Sequence, residues 1–199
     1  SSAASDVYKR QIQYYTFSTF TLFFIWLGAT LFKADIPFLY TADCRYIVAA
    51  GLVTLSVMYH IIVRPGAIRT HRLNDISYEH FSFYNYIFHY FIPVLMTADY
   101  LFFVDKTELH WHIMISWMIY PALYVVFVYW RAWMTIVTHG TSHLYPYTFM
   151  DPRMNDVFSI TKGCLKVGFQ FFLIGICVYA AGKGLYLLDI PPAAWTYNG

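Results

Sequence analysis

Thr16 and Thr19, Ser56 and His60, then Ser82, Asn85 and His89, then Ser116, Tyr120, Tyr124 and Arg131 stand in stretches that are otherwise apolar. Their spacings are helical. The first pair is i, i+3 and the second i, i+4. The third set is i, i+3, i+7, and the fourth also keeps to one stripe. Hydroxyls, a carboxamide and a guanidinium can trade hydrogen bonds. An imidazole can also move a proton near neutral pH. A charge at mid-depth in a membrane costs about 2.5–3.5 kcal/mol on insertion scales, so such groups face the interior of a bundle. Any one stripe is accounted for by hydrogen bonding between helices. Four stripes, three of them at one depth, point to a polar cavity.

Single residues have simpler readings. Arg131 can snorkel to the interface. Pro93 and Pro121 can kink their helices. His139 and His143 are i, i+4 with no evident third ligand, so no metal site is expected. Cys44, Cys164 and Cys177 form no CxxC pair and no metal spacing, and read as apolar filler. Tyr145 and Asp151 lie in a link where they could cap the cavity or orient a helix end.

The elements that must position these groups are membrane spans. Hydrophobic residues make up 59% of the 199, and charged residues only 12%. A soluble core of this size cannot hide so much apolar surface, which makes lipid the expected solvent. Five segments reach the roughly 20 residues a crossing needs: Gln13–Phe32, Arg45–Val63, Ser82–Val104, His112–Ile136 and Cys164–Leu187. The longest link, Val137–Gly163, is rich in Tyr, Pro, His and Gly. The reading is all-α: a multi-pass transmembrane helix bundle, residues 12–199 forming one domain. No basic run marks a nucleic-acid site. Arg64, Arg69, Arg72, Arg131, Arg153, Lys162 and Lys166 fall on one side, against Lys33, Arg45, Lys106 and Lys183 on the other. Seven against four favours the first side as cytoplasmic. Thr16, Thr19, His60, His89 and Arg131 then gather near that face, leaving chiefly Asp99 in the outer half. Excess Trp and Tyr near span ends fits an interfacial belt.

The opening SSAASDVYKRQ has no apolar run before a cleavage site, so it is not a secretory signal. Back-translated, it resembles a transposase adapter used in library preparation. Residues 1–11 are therefore expected to be foreign, with native coding sequence from near Ile12 and one helix lost upstream.

Several stretches form a set: CRYIVAAGLVTLSVMYHIIVRP (44–65), FHYFIPVLMTADYLFF (88–103), MIYPALYVVFVYWRA (118–132) and YPYTFMD (145–151). They resemble the Pr6Pr family of bacterial six-helix membrane proteins, itself distantly similar to the androgen-induced hydrolases. The resemblance runs from about Tyr14 to the end of the fifth span. It implies six helices and a bacterial inner membrane location. The animal relatives cleave fatty acid esters of hydroxy fatty acids with one Thr and one His. Carried over, the Thr of YYTF is Thr16 and the His of HYFIP is His89. Two departures stand out: Phe20 occupies a position where the bacterial pattern has Asn, and His89 to Pro93 is one residue shorter than the animal spacing.

Three functions follow as expectations. In the first, Thr16 attacks a lipid ester and His89 acts as base and then acid. Asn85, Tyr120 or Tyr124 helps hold the oxyanion. In the second, His60 and His89 ligate a haem between helices. In the third, the cavity binds a lipid or small solute, or transports it, without catalysis. The expected partner is membrane lipid, and the first and third readings need no resident cofactor or metal.

Overall fold

The computed structural model describes residues 15–65, 83–139 and 145–188. Residues 1–11, Gln13, Tyr14, Ser82 and His143 lie outside them. Among the described residues there are helices and turns and no strand, the all-α class expected from composition. Helix α1 is Tyr15–Leu31. Helix α2 is Ala42–Met58, continued by a π turn over Tyr59–Val63. Helix α3, Phe83–Phe103, consists of Phe83–Tyr86, a π turn over Ile87–Phe91 and Ile92–Phe103. Helix α4 is the single turn Ile113–Ser116, α5 is Ile119–His139 and α6 is Val157–Leu187. Four stretches are long and apolar enough to cross a membrane: Ala42–Ile61, Phe83–Phe103, Ile113–Val137 and Val157–Leu187. The described 17 residues of α1 rise about 26 Å, the low end of a crossing. Leu95, Leu123, Leu165 and Phe169 are more than half exposed, a surface that lipid accepts and water does not. The chain is a helical membrane protein.

Local chemistry sets the helix ends. Thr41 caps α2, its side chain accepting the Cys44 N–H at 3.2 Å. Lys33, at φ 53°, ends α1 in the left-handed conformation, and the Ala34 N–H returns to the Ala29 carbonyl. The fifth span starts earlier than its apolar run. Asp156 accepts the Ser159 N–H at 3.0 Å and caps a helix that begins at Val157, seven residues before Cys164. Charge marks where lipid stops; it does not stop a helix, because lysine is a good helix former.

Proline accounts for three irregular turns. A proline has no N–H for the carbonyl four residues earlier and crowds it. Before Pro65 and Pro93 the chain widens. Arg64 N–H bonds the Tyr59 carbonyl, and Ile92 N–H bonds the Ile87 carbonyl. Before Pro121 it tightens instead, the Trp117 carbonyl taking the Tyr120 N–H at 3.2 Å. This is the break between α4 and α5.

The described chain forms two compact units. One holds residues up to Ile25 with Met114–Leu173; the other holds Trp26–Ile113 with the chain from Ile174. In the first, Tyr15 packs on Tyr120, Tyr124 and Phe171 at 5.2–5.3 Å between ring centres. Phe149 lies against Gly163, and the Tyr129 hydroxyl donates to the Met150 carbonyl at 2.8 Å. In the second, the fully buried Ala49 and Ala50 let α2 pack closely. Tyr46 lies 6.0 Å from both Tyr100 and Tyr179 and donates to the Gly175 carbonyl at 3.0 Å.

Candidate functional site

In the second unit, His89 is 9% exposed and sits in the middle of the π turn of α3. Its Nδ1 lies 3.1 Å from the Asn85 carbonyl oxygen. A carbonyl only accepts, so Nδ1 carries the hydrogen. In the neutral ring the lone pair then belongs to Nε2. The Tyr59 ring is stacked on the imidazole, centres 3.9 Å apart and planes 27° from parallel. The Asn85 side-chain amide donates to the Tyr59 hydroxyl at 3.0 Å. Asn85, expected on the His89 face, is there: its carbonyl holds the imidazole and its amide holds the phenol. His60 is exposed, and its Nδ1 pairs with the Tyr90 hydroxyl at 2.9 Å.

In the first unit, the hydroxyls form a directed chain. Ser18 donates to the Tyr15 carbonyl at 3.0 Å. At the 3.0 Å contact between Ser18 and Tyr120 the phenol therefore donates. At the 2.9 Å contact between Thr19 and Tyr120 the threonine donates. Thr19 and Tyr120 thus tie α1 to α5. Thr16 is half-buried, one turn before Thr19 on α1. Tyr124 is within electrostatic range of the Tyr147 phenol and meets the Tyr15 ring edge-on. The Arg131 guanidinium is within electrostatic range of the Tyr124 and Tyr145 phenols, and Tyr145 packs on Tyr129 at 5.5 Å.

Asp151 orders the turn before α6. Its carboxylate takes the Arg153 backbone N–H at 2.9 Å and the guanidinium through Nε at 2.9 Å and Nη2 at 2.6 Å. Those bonds hold its carboxyl below the usual carboxylate range. Its carbonyl accepts the Met154 and Asn155 N–H groups, both at 3.1 Å.

Three features escaped the sequence reading. Tyr59 stacks on His89, yet it reads as one more aromatic in an aromatic chain. Ser18 sits one residue off the Thr16–Thr19 stripe. Asp99, the chief polar residue expected in the outer half, is paired with Arg45, whose guanidinium lies 5.7 Å from the Trp26 ring centre. Opposite charges in two neighbouring spans were the available signal. Among the described residues no three His, Cys, Asp or Glu side chains converge in a way that could hold a metal ion. No family model matches the chain, and no curated protein or solved structure does so.

Proposed function

We propose that the protein is an integral membrane hydrolase of lipid esters, with His89 as general base and Thr16 as nucleophile. One observation carries the reading: the His89 Nδ1–H bond to the Asn85 carbonyl. It leaves the basic lone pair on Nε2 of a buried ring, the form that general-base catalysis needs. The role of Thr16 rests on the resemblance of its YYTF stretch to the Pr6Pr family and its animal relatives. In the reaction that the resemblance implies, the threonine Oγ1 bonds to the ester carbonyl carbon as its proton passes to the histidine base. Collapse of the adduct expels the alcohol, which takes that proton. Water then cleaves the acyl-threonine with the imidazole again as base, releasing the acid and restoring both groups. The substrate class is a lipid ester that reaches the site from the bilayer, here the bacterial inner membrane with the links after α2 and α5 on the cytoplasmic side.

The test is hydrolysis of a long-chain fluorogenic acyl ester by the full chain in nanodiscs. His89→Gln and Thr16→Ala are each expected to lower the initial rate by about 100-fold or more. An unchanged rate in Thr16→Ala removes the nucleophile; an unchanged rate in His89→Gln removes the base. A second reading is non-enzymatic lipid or solute binding. The hydroxyl chain of Ser18, Thr19 and Tyr120 supports a non-catalytic role for this part of α1, since hydroxyls bonded to one another serve packing. That reading predicts saturable lipid binding, no ester turnover, and no effect of either substitution.

A further inference from the structure

We infer that Tyr59 is the positioning residue of the His89 site, holding the imidazole in its Nδ1–H form. The inference rests on the reading of His89 as a base.

The contacts close into a triangle. The Asn85 carbonyl fixes one edge of the imidazole at 3.1 Å. The Tyr59 ring covers one face of it at 3.9 Å. The Asn85 amide fixes the Tyr59 hydroxyl at 3.0 Å, so the covering ring cannot slide away without breaking that bond. Turning the imidazole over would set a C–H against the Asn85 carbonyl and forfeit the Nδ1 bond. Sweeping it sideways would forfeit the stack. Only one ring orientation keeps both, and that orientation puts the lone pair on Nε2.

The backbone supports the same conclusion. Tyr59 opens one π turn and His89 sits at the centre of the other. Each turn runs from six to two residues before a proline, Pro65 in one case and Pro93 in the other. One extra residue in a turn rotates the side chains on either side by about 100° relative to a regular helix. Both members of the stack are therefore placed by irregular turns with the same proline offset. Generic packing does not need two such turns. π turns of this type are frequent at functional sites.

The test uses the full chain in nanodiscs, labelled with 15N-histidine, with the His89 signals identified by their loss in His89→Gln. In the unsubstituted chain Nδ1 is expected protonated and Nε2 bare. Tyr59→Phe keeps the stack and loses the hydroxyl clamp; Tyr59→Leu loses both. The tautomer ratio is expected to shift about 2–10-fold toward Nε2–H in Tyr59→Leu, with Tyr59→Phe between. Ester hydrolysis should fall in the same order through kcat, with KM unchanged. If Tyr59→Leu does not fold, Tyr59→Phe alone decides, because its shift must still be measurable. An unchanged tautomer ratio in the folded variants overturns the role of Tyr59. A shifted ratio without ester hydrolysis in any form of the chain supports the positioning and overturns the hydrolase reading alone.

Discussion

Replacing Gly182 by alanine drives a methyl group into the Tyr100 phenol. A Cβ at Gly182 would lie 2.3 Å from the Tyr100 hydroxyl oxygen, 2.8 Å from Cζ and 3.0 Å from Cε1. Tyr100 is fully buried, and its hydroxyl has no hydrogen-bond partner among the described residues. Overpacking of this type costs about 1–3 kcal/mol. Tyr100→Phe deletes the nearest atom. It also deletes a buried unsatisfied hydroxyl, a group that costs about 1–3 kcal/mol. Tyr100→Phe alone should therefore stabilise or be neutral. Added to Gly182→Ala it should recover about 1 kcal/mol of the loss, a non-additive pair. The ring carbon still 2.8 Å away prevents full recovery. Gly184→Ala is the control: nothing lies within 4 Å of a Cβ there, and alanine gains up to about 1 kcal/mol in helix propensity. The assay is denaturant unfolding in mixed micelles followed by tryptophan fluorescence. Gly182→Ala behaving like Gly184→Ala, or adding independently to Tyr100→Phe, would refute the packing.

Lys106 gives a stability profile in pH. Its buried ammonium donates to the Leu101 and Val104 carbonyls at 2.7 and 2.6 Å. Burial pulls its pKa from 10.5 down to about 8. Between those values the unfolded chain holds the proton and the folded one releases it. Stability from this group therefore rises with pH through that window, by at most about 1.4 kcal/mol per unit. Lys106→Met should flatten that slope, measured as the difference between the two unfolding midpoints from pH 8 to 10.5. For Arg45 and Asp99, 25% and 30% exposed, Asp99→Asn should destabilise by between the about 1 kcal/mol of an exposed pair and the about 3–5 of a buried one. The swapped pair, Arg45→Asp with Asp99→Arg, should recover part of that in the same unfolding assay.

The spans were legible because hydropathy and length are local properties. Arg45–Val63 and Ser82–Val104 match the observed helices to within three residues. The start of α6 was also written locally, as Asp156 three residues before Ser159, but the lysines at 162 and 166 masked it. Pro93 and Pro121 announced an irregularity without its kind, and Pro65 produced one that was not anticipated. Whether a helix kinks, widens or tightens at a proline depends on what packs against it, and Pro121 tightened where the other two widened. The stack of Tyr59 on His89 depends on the rotation of two helices that lie some thirty residues apart in sequence. No spacing rule within either helix contains it. The Asn85–His89 relation was visible as i, i+4; that the Asn85 carbonyl is the imidazole's acceptor was not.

The most direct measurement is the position of a covalent adduct. The full chain in nanodiscs is treated with a long-chain fluorophosphonate, digested, and the modified residue located by mass spectrometry. The proposed chemistry predicts phosphonylation of Thr16 that disappears in His89→Gln. An adduct on any other side chain, or an unmodified Thr16 in a chain that turns over ester, contradicts it.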